Sequence, residues 1–183
     1  MKSAHELTRT FIHLFIITLL IVAGTCALAY RLIYNWTESL PVGFYWLGPN
    51  PKPARGDLVA FPIPDDVRWL VHERRYVPDG AYLVKPVVAL PGDQVCTDDG
   101  VFKVNDEVIG RVLTQDRAGR PLPHAEACKA VPPGEVYVAS HHPRSFDSRT
   151  FGAVPLSAIR GRVTPLWTFS PRSSLAAFTR MTP

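Results

Sequence analysis

Cysteine is scarce in this 183-residue chain: there are three, and one of them, Cys26, lies inside a long apolar run. None has metal-ligand spacing to another, so a cysteine-based zinc module is excluded. No His-Glu-x-x-His occurs, and the adjacent His141 and His142 would point to opposite sides of an extended chain, so neither a metal nor another cofactor is expected. The Gly-x-Ser-x-Gly elbow is missing as well, which disfavours a Ser-His-Asp triad built on Asp147. Charge of one sign is not dominant: 20 Lys and Arg face 16 Asp and Glu, for a net +4, and the basic residues are scattered. Without a basic helix, zinc-finger spacing or an aromatic-rich RNA motif, nucleic acid is not an expected partner. Internal repeats and low-complexity tracts are absent. Long helical patterns are few, and 18 Pro with 12 Gly point to turns and short strands, hence a mainly β fold.

What stands out against this background is the segment Phe11 to Tyr30, which carries no Asp, Glu, Lys or Arg. Twenty helical residues rise about 30 Å, the thickness of a bilayer core. Lys2 and Arg9 precede the run, with Glu6 opposing them, and Arg31 follows it, a weak bias that places the N-terminus in the cytoplasm. The expected organisation is a cytoplasmic segment 1–10, a transmembrane helix 11–30, and an exported domain 31–183 with a small insert 93–133. The chain would sit in the inner membrane with its domain on the periplasmic side. A cleaved signal peptide is the competing reading, because Ala27-Leu28-Ala29 has the small-x-small form of a cleavage site. Cleavage there would leave Ser39 close to a frayed terminus, and a retained anchor is favoured. Export also suits the remaining cysteines, Cys96 and Cys128, as a disulfide pair that closes the insert.

Along the exported part, strands are expected at Phe44–Leu47, Leu58–Phe61, Tyr82–Leu90, Glu135–Ala139 and Ile159–Trp167, with a hairpin from Val101–Val104 to Glu107–Leu113. Arg117–Pro133 reads as a surface excursion, Asp65-Asp66 as a turn-like pair, and the residues from Ser170 as a basic tail. Tyr82–Leu90 is apolar on both faces, as in a strand buried on both sides. Pro86 within it cannot donate to a ladder and implies an edge, bulge or kink.

Within that strand, period-two alternation sets Leu83, Lys85 and Val87 on one face. A lysine among apolar neighbours is either a snorkelling or salt-bridged strand residue, or a desolvated amine able to act as a general base near neutral pH. Ser39, in Thr37-Glu38-Ser39-Leu40-Pro41-Val42-Gly43, is by itself a loop serine. Paired with a neutral lysine it becomes a nucleophile. Thr37 supplies a hydroxyl, and the Ser39 backbone N–H a second donor, for a developing oxyanion.

The run Asn35-x-Thr37-x-Ser39-Leu40-Pro41-x-Gly43-x-Tyr45 resembles the nucleophile box of the type I signal peptidases, the Ser-Lys dyad family, and within it the TraF-like conjugative-transfer branch. Arg55-Gly56-Asp57-Leu58-Val59 is similar to the family's next box, Lys85 through Asp93 to its lysine box, and Ser145-Phe146-Asp147-Ser148-Arg149 to its last. Pro86 in place of Arg, Leu40 in place of Met, and Ser140-His141-His142-Pro143-Arg144 in place of a Gly-Asp-Asn opening depart from general signal peptidases, toward the transfer branch. The resemblance implies a signal-peptidase-like β-rich exported domain. It assigns catalytic roles to Ser39, Lys85, Thr37 and Asp147, and structural or orienting roles to Arg149, Ser148, Gly92 and Asp93. It implies a serine endopeptidase that cleaves an exported precursor such as a conjugative pilin, with cyclisation as a further outcome, alongside other transfer components. The alternatives are a general leader peptidase of exported preproteins and a non-catalytic, membrane-anchored assembly factor of a transfer apparatus.

Overall fold

The computed structural model describes residues 4–49, 52–124 and 128–169; the expected basic tail lies outside them. The chain divides into two units, one running through Leu32 and the other from Ile33 onward. The first is helix α1, Ala4–Ala29. Its stretch Thr8–Ala29 is long and apolar enough to cross a membrane. The Thr10 and Thr18 hydroxyls donate to carbonyls four residues back, so each is satisfied within the helix itself.

The second unit contains β1 Leu32–Asn35, β2 Gly43–Leu47, β3 Leu58–Pro62, α2 Asp65–Arg74, β4 Tyr82–Ala89, β5 Gln94–Asp98, β6 Val101–Val104, β7 Glu107–Arg111, β8 Lys129–Ala130, β9 Glu135–Val138, α3 Ser148–Phe151, β10 Val154–Pro155, a 3-10 turn Leu156–Ala158, and β11 Gly161–Thr168. Seven strands form one sheet in the order β1-β2-β11-β3-β4-β9-β10, and four form a small second sheet, β7-β6-β5-β8. The pairings are antiparallel, so the mainly β reading holds.

Alternation along β3 and β4 divides the core. Val59, Phe61, Leu83 and Val87 pack with Val71 of α2 and Val136 and Val138 of β9. Ala60 and Val84 face the other way, toward Ile33, Leu40, Tyr45, Leu47 and Val163. A third cluster, Val95, Phe102 and Val104 with Ala89 and Tyr137, fastens the small sheet to the large one. Lys85 falls between Leu83 and Val87, on the α2 side of the sheet, and is 2% exposed.

Beside β4, strand β9 registers only at Val87 and Ala89, across a bulge, with the Ala139 N–H on the Pro86 carbonyl. Tyr82–Lys85 are therefore registered on the β3 side alone. Of the edge, bulge or kink expected at Pro86, the strand shows an edge before it and a bulge after it, between Val87 and Ala89.

Helix α2 is a difference from the sequence expectation. Asp65 and Asp66, taken as a turn pair, form its first turn, where their charge suits the helix N-terminus. Val67, Leu70 and Val71 supply its buried stripe at helical spacing. The helix ends at Arg75, which is left-handed at φ 52°.

Candidate active site

The turn after β1 carries Ser39 and is fixed mainly by two buried side chains. The Asn35 amide donates to the carbonyls of Thr37 (2.9 Å), Leu40 (3.2 Å) and Pro41 (3.1 Å). Its Oδ1 accepts from the Thr37 N–H at 3.3 Å and the Thr37 hydroxyl at 3.2 Å. Tyr45 Oη donates to the Pro41 carbonyl at 2.7 Å, and burial pushes its pKa up to about 12, so it remains a donor. Gly43 ends the turn where only glycine fits: its φ is 146° and an added Cβ would lie 2.2 Å from the Trp167 carbonyl oxygen. The loop is thus held by hydrogen bonds and close packing, which sets the Thr37 hydroxyl 3.0 Å from Ser39 Oγ.

Lys85 reaches this turn from β4, and its Nζ is hydrogen-bonded to Ser39 Oγ. Burial pulls the Lys85 pKa from 10.5 down to about 8; the Asp147 charge opposes that and the Arg149 charge adds to it. Both residues line an open cavity of about 480 Å³, together with Thr37, Leu83, Ser145 and Phe146. The Ser145 hydroxyl is buried and has no hydrogen-bond partner. An unsatisfied donor lining a cavity beside Ser39 and Lys85 is poised for a ligand, a water or the lysine.

Asp147 and Arg149 lie behind the pair and are almost completely buried. Their charges are joined twice, Arg149 Nε to Oδ1 at 2.9 Å and a terminal nitrogen to Oδ2 at 2.7 Å. Asp147 also caps α3 by accepting from the Arg149 N–H and takes the Ser140 N–H at 3.1 Å. Arg149 donates onward to the Ser140 and His142 carbonyls, and Ser148 Oγ accepts from the Val138 N–H at 2.9 Å. These contacts tie the loop that carries Ser145 to β9. Asp147 acts on Lys85 through its charge; its carboxylate oxygens are occupied by Arg149 and Ser140.

The family profile described as signal peptidase, peptidase S26, matches residues 4–167. The chain belongs to this signal peptidase family. A plasmid transfer protein TraF of Escherichia coli is 33% identical over 166 residues, covering 82% of this chain and 89% of its own. A conjugal transfer protein TraF of Agrobacterium fabrum strain C58 is 32% identical over 152 residues, covering 75% of this chain and 82% of its own. A solved signal peptidase I from Enterococcus faecalis V583 aligns at TM-score 0.40 and 24% identity, over 63% of this chain and 100% of that one. The profile and the two transfer proteins carry the assignment.

In this signal peptidase family member, the other boxes form a knot around the far end of β4. The Gly56 N–H donates to the Val87 carbonyl at 2.8 Å, and the Val87 N–H to the Asp57 carbonyl at 2.9 Å. Arg55 donates to the Val88 carbonyl and pairs with Asp93 at 2.6 Å. Asp93 also accepts from the Leu90 N–H at 2.6 Å and from Asn105 at 2.7 Å. Burial would raise the Asp93 carboxyl, but these donors outweigh it and hold it below its usual value. Gly92, at φ 92°, makes the turn that brings Asp93 back. Gly92 and Asp93 stand at the end of β4 beyond the cavity lining, whereas Ser39, Lys85 and Thr37 share it. Cys96 and Cys128 are joined by a disulfide, across 32 residues. Among the described residues no group of His, Cys, Asp and Glu is arranged to hold a metal. Sequence reasoning gave no role to Asn35, Tyr45 or Ser145, although all three stand inside the boxes it singled out.

Proposed function

We propose that this chain is a membrane-anchored serine endopeptidase that processes an exported precursor, a conjugative pilin, with Ser39 as nucleophile and Lys85 as general base. The observation that carries this reading is the hydrogen bond from a fully buried lysine to the hydroxyl of a rigidly held serine. With a pKa near 8, Lys85 is neutral in a useful fraction of molecules at physiological pH. Neutral Nζ accepts the Ser39 proton as Oγ attacks the peptide carbonyl. The Ser39 N–H and the Thr37 hydroxyl then serve the oxyanion, the Thr37 proton turning from Asn35 Oδ1, where it rests, to the developing charge. Lys85 returns the proton to the leaving amine, and afterwards activates water to release the acyl group. Where an amine of the same substrate takes the place of water, the product is cyclic. The unpaired side of Tyr82–Lys85 suits an extended peptide added as a strand next to Ser39. The transfer context comes from the names of the two TraF relatives.

The test is incubation of the detergent-solubilised full chain with a pilin precursor and, in parallel, with a generic secreted preprotein, the products being weighed by mass spectrometry. Processing of the pilin alone is expected. Ser39→Ala and Lys85→Ala are each expected to lower the rate by at least about a thousandfold with the fold intact. Processing retained by either variant refutes the pair, and pilus maturation supported by Ser39→Ala in cells points to a non-catalytic assembly role.

A further inference from the structure

The cavity beside Ser39 and Lys85 carries a charge arrangement that peptide hydrolysis itself does not need. Three of its lining residues are arginines: Arg75 from the end of α2, Arg117 from the small-sheet excursion, and Arg144 from the loop before α3. All three are exposed, and none has a carboxylate partner among the described residues. The lining acids do not balance them. Asp116 is already occupied, taking the Tyr76 hydroxyl at 2.6 Å, Arg120 Nε at 2.7 Å and Arg74 at 3.4 Å. Its other oxygen closes a turn by accepting from the Ala118 and Arg120 N–H groups at 2.9 and 3.0 Å. Only Glu38 remains to oppose three guanidinium groups.

Two of these arginines are held in place by the same junction. Arg74 and Tyr76 grip Asp116, and the residue between them, Arg75, has a left-handed backbone that turns it away from both. Arg117 follows Asp116 on the turn that the carboxylate closes. That conformation is the left-handed cap that ends α2, with the Arg75 N–H on the His72 carbonyl at 3.2 Å. The cap and the turn therefore place the backbones of Arg75 and Arg117 at the rim of the cavity. Guanidinium groups recognise carboxylates by paired, charge-assisted hydrogen bonds.

We propose that Arg75, Arg117 and Arg144 form a carboxylate-recognition subsite, which selects substrates bearing an acidic side chain or a free C-terminal carboxylate close to the scissile bond. This rests on the peptidase reading of the same cavity, so the test separates binding from turnover. Fluorescent Ala/Ser peptides carrying one Glu, its Gln counterpart, or a free or amidated C-terminus are titrated against the full-length Ser39→Ala variant in detergent. The acid form of at least one pair should bind about tenfold more tightly than its amide, with the preference shrinking as salt is raised. Which pair responds identifies the side chain or the chain terminus as the source. Arg75→Gln, Arg117→Gln and Arg144→Gln should each cut the preference about threefold. Arg160→Gln, outside the cavity, is the control for loss of surface charge in general and should leave the preference as it was. Equal binding of acid and amide in both pairs, or a preference untouched by all three cavity variants, overturns the subsite. Cleavage by the chain with Ser39 intact is scored separately: a preference without cleavage keeps the subsite and removes the peptidase, and cleavage without a preference does the reverse.

Discussion

Lys85 is the residue on which stability and proposed chemistry conflict. Its charged form is disfavoured by burial in the folded state, where the pKa is about 8, and not in the unfolded chain, where it is 10.5. Below pH 8 the folded protein carries a poorly solvated ammonium, at a cost of about 3 kcal/mol. Between pH 8 and 10.5 the unfolded state binds more protons than the folded one, so the stability of the native sequence rises with pH through that window. Lys85→Met is therefore expected to be more stable at pH 7, by roughly 1–3 kcal/mol, with the two stability curves converging toward pH 10.5. Denaturant titrations at several pH values measure this, and a destabilised Met variant would mean that the hydrogen bond to Ser39 outweighs the burial of charge. On the peptidase reading the same ionisation governs rate. Processing should follow the neutral amine, with an acidic limb half-maximal near pH 8 and no loss below pH 7 beyond that single titration. A pH profile of kcat/KM that stays flat down to pH 6 would exclude Lys85 as the base.

At the scale of elements, β4 is held at its middle and just past its far end by groups outside its own ladder. Ser39 meets it at Lys85, and the Arg55, Gly92 and Asp93 knot closes on it beyond Val87. Asp93→Ala would strand the Leu90 N–H and the Arg55 guanidinium, at a cost of about 1–3 kcal/mol at pH 7. Because the Asp93 carboxyl is held below its normal value of 3.8, its contribution is present above that pH and lost as pH falls. The gap between native and Asp93→Ala proteins should narrow below pH 4, and a gap that persists there would mean the knot does not depend on the charge. The position of Lys85 between Leu83 and Val87 was legible from simple alternation, and so were the strands that bury whole apolar runs. Helix α2 was not: its stripe is three residues, and Pro62 and Pro64 directly before it read as the end of a strand rather than the approach to a helix. Strands β8 and β10 are two residues each, too short to show a period. The Asn35 lock was equally hidden, since its partners are backbone carbonyls plus the neighbouring Thr37 and a sequence does not show which carbonyls will be close. What the boxes share is therefore mostly backbone capture around β4, with chemistry confined to a few side chains.

At the scale of the whole molecule, the expectation to test is that α1 spans a membrane and the second unit lies on its oxidising side. Charge around α1 answers weakly: Lys2 and Arg9 lie on one flank with Glu6, and Arg31 on the other. The Cys96–Cys128 disulfide favours export more strongly, because such bonds form and persist in oxidising compartments. It closes a loop of 32 residues, worth about 3–4 kcal/mol through the entropy of the unfolded chain. It fastens β5 next to β8, and so steadies the excursion that carries Asp116 and Arg117. If the domain is exported, Cys96 and Cys128 in cells should resist a maleimide polymer until a reductant is added, and then take up two labels. Cys26, within α1, is replaced by Ser so that only the two domain thiols are scored. A chain lacking residues 1–30 stays in the reducing cytoplasm. There both thiols should label directly, and the domain should lose the 3–4 kcal/mol of the crosslink together with much of its resistance to proteolysis. Direct labelling of both thiols in the full-length chain, before any reductant, would place the domain on the cytoplasmic side. The apolar helix would then be an anchor with the opposite orientation, and an exported precursor could meet Ser39 only before it crosses the membrane.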